Sequence, residues 1–185
     1  MSTTNPNASQ GPGRVVIVGA GIAGLAHRLD HHGWRVSVLE RAPGPRPQGY
    51  MIDFFGPGYD AAQAMGLIPR LRELGHHFTE AALVDGHGRR RAAIGFERFA
   101  QSLGGDLISI MRPDLERALR ESLPARVELR YASAPEQITE HADGVRVRLV
   151  GGEVLEADLL AGADGVHSTV RPRLHSSTST WATWS

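Results

Sequence analysis

The sequence contains no cysteine and no lysine, and it has no long apolar run. Without cysteine the chain can form no disulfide, no thiolate nucleophile and no cysteine-based zinc or iron–sulfur site. No apolar stretch approaches the ~20 residues that a bilayer-spanning helix needs. Residues 1–13 also lack the basic start and the apolar core of a signal peptide. These absences predict a soluble, cytoplasmic protein with no membrane partner.

The charge composition argues against nucleic acid as a partner. All 20 basic residues are arginine, and 20 acidic residues balance them, so the formal net charge is zero. A balanced chain has no long-range field that would attract a polyanion. The histidine pairs His31-His32 and His76-His77 lack the i, i+4 spacing of metal ligands on a helix, so no metal site is expected. The length of 185 residues allows one domain with part of a second.

The segment from residue 14 to residue 39 has the pattern of a βαβ unit. Residues 14–18 are mainly branched aliphatic residues, typical of a strand buried on both faces, and residues 35–39 form a second such strand. Four apolar residues between them share one face of a predicted helix: Ile22, Leu25, Ala26 and Leu29. Gly33 can end that helix. The sequence therefore predicts two strands joined by a helical crossover.

Three glycines follow the first strand in the pattern G-x-G-x-x-G: Gly19, Gly21 and Gly24. Between a strand and a helix this pattern predicts a dinucleotide-binding loop, in which the first glycine turns tightly, the second lets a pyrophosphate approach and the third lets the helix pack closely. The N-terminus of the helix would face the phosphates. Glu40, at the end of the second strand, can accept hydrogen bonds from ribose hydroxyls and would repel a 2′-phosphate, which favours FAD or NAD over NADP. The alternative interpretation is a glycine turn with Glu40 as a solvated strand end.

The rest of the chain alternates between strand and helix patterns. Helices are predicted at residues 59–65, at 67–74 and from Pro113 to about residue 123, where proline suits a first helical turn. Strands are predicted at 79–84, 91–96, 107–111, 126–131, 137–141, 145–150 and 154–160. Turn signals at 85–90 and 142–144 indicate two hairpins.

Four segments together resemble one family. They are "VLERAP", "GYMIDFFGPGYDAAQAMGL", "SIMRPDLERAL" and "LLAGADGVHSTVR". Over residues 13–173 the chain resembles the N-terminal portion of FAD-dependent aromatic hydroxylases, the monooxygenase group typified by para-hydroxybenzoate hydroxylase and the tetracycline-modifying enzymes. The resemblance implies an α/β fold with a Rossmann-like FAD-binding βαβ unit, a mainly parallel sheet and part of an antiparallel substrate-domain sheet. The FAD-binding domain would span residues 14–173, with substrate-domain strands inserted at about 79–96.

The resemblance also implies a reaction and a set of binding residues. FAD would be the bound cofactor and NAD(P)H the transient reductant, and O₂ would supply the oxygen that hydroxylates a small aromatic substrate. No protein residue is implied as catalytic.

By resemblance, the three glycines would hold the FAD pyrophosphate and Glu40 the adenosine ribose. Arg41 would lie along the adenine, since a planar guanidinium stacks well. Arg112 would reach the phosphate or ribityl part of FAD, and Asp164 would belong to a motif that serves both FAD and NAD(P)H. The alternatives are a solvated helix-start arginine at Arg112 and a plain Asp-Gly turn at residues 164–165. Residues 50–55 could line the pocket on the side of the flavin.

Two departures from the family pattern shape the remaining expectations. The segment around "LAHRL" has two residues fewer than the family usually has, which would displace Glu40 if the crossover did not adjust. Residues 1–13 are expected to be a disordered tail and residues 174–185 a non-family tail, so the chain is interpreted as truncated. Strands 79–84, 91–96 and 145–150 would then expose edges through which chains could associate.

Weak or no FAD binding and no hydroxylation are expected from the chain alone. The alternatives are an inactive nucleotide-binding fragment or another FAD-dependent oxidoreductase of the same fold.

Overall fold

The computed structural model describes residues 12–173, which divide into two compact units. Residues 12–45 and 123–173 form the first unit, and Arg46–Ser122 forms the second. The predicted tails at 1–13 and 174–185 lie outside the described range, apart from residues 12 and 13.

The strands and α-helices of the described residues alternate along the chain. The strands are β1 (Arg14–Val18), β2 (Arg35–Leu39), β3 (Met51–Phe55), β4 (Glu80–Val84), β5 (Arg90–Gly95), β6 (Leu107–Met111), β7 (Glu128–Arg130), β8 (Pro135–His141), β9 (Gly144–Leu149), β10 (Val154–Ala157) and β11 (Leu159–Gly162). The helices are α1 (Ile22–Leu25), α2 (Pro57–Ala64), α3 (Ile68–Leu74), α4 (Phe96–Ser102) and α5 (Arg112–Glu121). The α/β fold class predicted from the sequence is confirmed.

The first unit is built on a four-stranded parallel sheet in the order β11-β1-β2-β7. Val15 and Ile17 of β1 pack on one side of this sheet, in a cluster that includes Val38 of β2. Val16 and Val18 face the opposite side, where they pack with residues of the antiparallel sheet β10-β9-β8. Alternate residues of a strand point to opposite faces, so an all-aliphatic strand suits a position covered on both sides. The prediction that residues 14–18 form a central buried strand is confirmed.

The prediction of an exposed strand at 145–150 is wrong. β9 is the middle strand of its sheet, and Val145, Val147 and Leu149 are buried against the parallel sheet. Alternation of apolar and polar residues in "VRVRL" had shown that one face of the strand would be buried. The sequence could not show that the covering partner lies within the first unit itself.

The predicted strand at 154–160 is divided between two sheets. β10 pairs with β9, whereas β11 pairs with β1, and Asp158 lies between them. The Asp158 amide donates to the Arg14 carbonyl, and the Asp158 carboxylate accepts the Arg14 amide at 2.6 Å. These contacts fix the point at which the chain leaves one sheet and enters the other.

The predicted helix of the crossover is also interrupted. α1 has a single turn, ending at Leu25, and a short 3₁₀ helix covers Leu29–His32 before Gly33 turns the chain with φ of 83°. A helix advances about 1.5 Å per residue and an extended chain more than twice that, so an unwound segment spans the same distance with fewer residues. The crossover returns to β2 through this unwound segment, and β1 and β2 pair in parallel along their whole length.

The second unit contains the β3-β6 ribbon with α2, α3 and α5. Its buried residues include Leu71, Ile110 and Leu115, and each fully buried aliphatic side chain contributes roughly 1.5–3 kcal/mol. Arg70 joins α3 to α5 through Glu121, with a nitrogen–oxygen distance of 2.9 Å.

The predicted β4-β5 hairpin is present, and every residue of both strands is exposed. Leu83 and Val84 are 67% and 55% exposed. Helix α4, which follows β5, was not predicted, because "FERFAQS" has too few residues to establish a helical period. Within residues 12–173 no helix combines the length and the apolar character that crossing a bilayer requires.

Candidate functional site

The glycine loop joins the carboxyl end of β1 to α1, and two of its glycines are required by packing within the chain. Gly19 has φ of 104°, and an added Cβ would lie 2.9 Å from the Asp164 Cα. Gly24 is buried, and its Cβ would overlap the carbonyl oxygen of Gly19. A side chain at position 19 is therefore excluded by the backbone of residues 163–164, and a side chain at position 24 is excluded by the loop itself.

Gly21 differs from the other two glycines. Its φ of −76° and ψ of −174° are extended values that any residue adopts. The local backbone therefore gives no reason for glycine at this position, and approach of an outside group is the remaining physical reason that the motif supplies.

The first amides of α1 have no intrahelical acceptors, as at every helix start. The sequence analysis expects the N-terminus of this helix to face the phosphates, but α1 spans only four residues. One turn of helix carries little cumulative dipole, because that field is a sum over aligned peptide units. Any anion at this loop must therefore be held mainly by individual N–H groups.

Glu40 closes the loop from the end of β2. One carboxylate oxygen accepts the Ala20 amide at 3.0 Å, and the other accepts the Ala42 amide at 2.9 Å. The Gly19 amide donates to the Leu39 carbonyl at 2.7 Å, which holds the two strand ends side by side. A carboxylate has about four lone-pair sites, and the two amides occupy two of them. Glu40 thus lies at the loop, as the sequence predicts.

Residues 130–133, which the sequence analysis did not nominate, border Glu40. The Glu40 amide donates to the Arg130 carbonyl, and the Ser133 amide donates back to the Glu40 carbonyl, both at 2.8 Å. Ala132 between them has φ of 50°, the one positive φ of a non-glycine residue in residues 12–173. Such a conformation costs roughly 1–3 kcal/mol and is frequent at binding sites. Nothing in the letters "YAS" signals it.

Asp164 follows β11 and makes hydrogen bonds with the turn after it. Its carboxylate accepts the Ser168 hydroxyl and the Thr169 amide at 2.6 Å each, and the Val170 amide at 3.2 Å. Partial burial alone would raise the pKa of Asp164, but these hydrogen bonds outweigh burial and lower the pKa below its ordinary value. The carboxylate thus braces residues 164–170, beside Gly19.

We expect Asp164→Asn to lower the free energy of unfolding by about 1–2 kcal/mol at neutral pH, because an amide cannot replace all these acceptor contacts. Since the folded protein holds Asp164 ionised more strongly than the unfolded chain does, the contribution is complete above the ordinary pKa of 3.8 and is lost as the pH falls below it. Urea unfolding at several pH values checks this, with Asp143→Asn, in the exposed β8-β9 turn, as the control. An equal effect of Asp164→Asn at neutral and strongly acid pH would contradict the assignment.

The two predicted arginines lie in different units. Arg41 is exposed and follows Glu40 directly in the chain. Arg112 begins α5 in the second unit, where it pairs with Glu116 at 2.8 Å. The structure thus brings Gly19, Gly24, Glu40, Arg41 and Asp164 into one unit, together with Gly21. Arg112 belongs to the other.

A parallel sheet whose first strand ends in a glycine loop, with an acidic residue closing that loop, defines the class of dinucleotide-binding α/β proteins. Residues 13–184 match the FAD binding domain family, and the chain belongs to that family. The matched range continues past residue 173 into the undescribed C-terminal segment.

Named relatives agree with this assignment. The 3-amino-4-hydroxybenzoate 2-monooxygenase of Streptomyces cremeus is 37% identical over 164 residues, covering 85% of this chain and 41% of that protein. Tetracycline destructase Tet(55) superposes with a TM-score of 0.74 at 28% identity, covering 88% of this chain and 41% of that one. The p-nitrophenol 4-monooxygenase PnpA of Pseudomonas putida DLL-E4 gives 0.73 at 28% identity, with 86% and 42% covered.

The comparisons confirm the predicted similarity to the N-terminal portion of FAD-dependent aromatic hydroxylases and monooxygenases, and they support FAD as the bound cofactor. The chain spans about two fifths of the length of the relatives it matches.

Proposed function

We propose that the chain supplies the nucleotide-binding part of an FAD-dependent monooxygenase that uses NAD(P)H to hydroxylate a small aromatic substrate. The observation that carries this proposal is the contact between the Glu40 carboxylate and the Ala20 amide at 3.0 Å. It fixes an acidic group beside the glycine loop, and a nucleotide with ribose hydroxyls next to a pyrophosphate suits that combination.

The residues of the first unit fit the adenosine half of FAD. In this proposal the amides around Gly21 bind the pyrophosphate, and Glu40 binds the adenosine ribose next to the segment containing Ala132. Arg41 is exposed and available to stack on the adenine. Asp164 holds the turn against Gly19 and so acts on the pyrophosphate through the loop.

Arg112 remains proposed as a ligand of the phosphate or ribityl part of FAD. Its ion pair with Glu116 leaves it 32% exposed, so the guanidinium can still make further contacts. The bound flavin would supply the redox chemistry, while the protein would orient the substrate and exclude water. Residues 14–173 form the FAD-binding domain in this proposal, with the 79–96 segment on the substrate side.

The second candidate is a chain that binds the nucleotide without turnover. It is favoured by the β4-β5 hairpin, all of whose residues are exposed, although the resemblance implies substrate-domain strands in this region. The two candidates predict the same binding loop but different kinetics.

The test is NAD(P)H oxidation by purified protein supplied with FAD, with and without small phenols and aminobenzoates. The chain alone is expected to bind FAD weakly and to give no hydroxylated product, and the proposal expects substrate-stimulated oxidation once the C-terminal part of a related monooxygenase is supplied with it. FAD binding without substrate-stimulated oxidation even then would support the second candidate. A chain that binds no FAD would contradict both.

A further inference from the structure

His27 is a buried imidazole that the proposed function does not use. It lies in the unwound segment between α1 and β2, and its side chain is only 6% exposed. Neither ring nitrogen has a hydrogen-bond partner within residues 12–173. Buried polar groups are nearly always paired, because an unpaired one loses its hydration without compensation.

The charged groups around His27 offer little support for a proton on its ring. The Asp30 carboxylate, 1% exposed, lies 3.9 Å from the His27 Nδ1. However, Asp30 is already held by Arg126 at 2.7 Å and has His31 at 3.6 Å. Arg28 and His31 add positive charge on the same segment. A protonated His27 would therefore compete with an existing ion pair for the one nearby carboxylate.

Burial lowers the pKa of His27 below its ordinary value of 6.5; attraction to Asp30 opposes the shift, and Arg28 and His31 reinforce it. The folded chain thus keeps the ring neutral at a pH where the unfolded chain has protonated it. By linkage, stability is unaffected well above pH 6.5 and is lost as the pH falls below that value.

We propose that His27 makes the first unit acid-sensitive: a proton on its imidazole opens the segment 26–34 and loosens the glycine loop. The segment has no continuous α-helical hydrogen bonding and is held instead by turn hydrogen bonds, by the Asp30–Arg126 ion pair and by the packing of Leu29 and Trp34. It can therefore open as a local unit without the strands unfolding. Ala26 caps α1 and immediately precedes His27, so the displacement reaches the loop directly. Release of a bound nucleotide on acidification follows from this, and that consequence rests on the proposed function.

Urea unfolding of the nucleotide-free chain at different pH values tests the proposal directly. The urea concentration at the midpoint of unfolding should decrease when the pH is lowered from about 8 to about 5.5. His27→Leu should reduce this decrease by more than half. His31→Leu is the matched control, because His31 occupies the same segment but is 54% exposed. An equal fall in the His27 and His31 variants would overturn the proposal.

A measurement on the unsubstituted protein keeps the test decisive if His27→Leu does not fold. The ring resonances of His27, followed by NMR against pH, should titrate at a lower pH than those of the exposed histidines. Signals of the unfolded chain should appear over the same pH range in which His27 titrates. Titration at or above the ordinary pKa, with the segment intact, would overturn the proposal.

Binding of ADP distinguishes this inference from the proposed function. The dissociation constant for ADP should rise more steeply with acidification in the unsubstituted chain than in His27→Leu. An identical pH dependence in both would contradict the role of His27 in nucleotide release. Absence of ADP binding at either pH would instead contradict the proposed function, and the stability comparison would still decide whether His27 confers acid sensitivity.

Discussion

Gly24→Ala is expected to destabilise the protein by about 3 kcal/mol or more and to abolish nucleotide binding, since overpacking against backbone is among the costliest single changes. A Cβ at this position would overlap the carbonyl oxygen of Gly19, and neither group can move without displacing β1 or α1. Because the obstacle is main chain rather than a flexible side chain, relaxation would distort the loop itself. Urea unfolding and ADP titration measure the two effects.

The matched control is Gly44→Ala, in the loop after β2. An added Cβ there meets no atom within 4 Å, and its backbone φ lies outside the left-handed region. This variant should have the same free energy of unfolding and the same affinity for ADP as the unsubstituted chain. Equal stability of the Gly24 and Gly44 variants would show that the loop is not closed as described.

Glu40→Gln is expected to weaken binding of ADP by about 10- to 100-fold, because each charge-assisted hydrogen bond contributes roughly 1.5–3 kcal/mol. Glutamine has one carbonyl oxygen, so it can accept the Ala20 amide or the Ala42 amide but not both. Its NH₂ group would face the other donor, and the negative charge that favours ribose hydroxyls would be lost. Isothermal titration calorimetry measures the change.

Comparison of ADP with its 2′-phosphorylated form separates a ribose contact from a purely structural role of Glu40. The unsubstituted chain should prefer ADP, because the Glu40 carboxylate repels the extra phosphate. Glu40→Gln should bring the two affinities closer together. Glu136→Gln removes a carboxylate that pairs with Arg148 on the antiparallel sheet, and it should leave the preference intact. A preference unchanged in Glu40→Gln would mean that Glu40 only braces the loop.

The strands and the glycine loop could be predicted because their signals are local. Residues 14–18 show by composition alone that both faces are buried, and residues 107–111 were placed with correct bounds. The need for glycine at positions 19 and 24 could be predicted, because the G-x-G-x-x-G pattern depends on contacts within the loop itself. The family resemblance then added the nature of the nucleotide, which no spacing alone determines.

The features that could not be predicted depend on contacts distant in sequence. The division at Asp158 is set by Arg14, and the burial of β9 is set by β1. The apolar spacing from Ile22 to Leu29 indicated one helix, but the chain forms a single α-helical turn and a short 3₁₀ helix instead. The positive φ of Ala132 lies where residues 130–133 bond to the backbone of Glu40 and Ala42, and it has no sequence signal.

Titration of the purified chain with FAD, ADP and FMN tests the central claim most directly, because FMN lacks the adenosine half of FAD. The account predicts that FAD and ADP bind, that ADP displaces FAD, and that FMN binds far more weakly. The isolated chain is expected to bind FAD weakly, so the order of the three ligands, rather than the absolute affinity, carries the result. Binding of FMN as tight as that of FAD, or failure of ADP to displace FAD, would contradict the assignment of the glycine loop and Glu40 to the adenosine half.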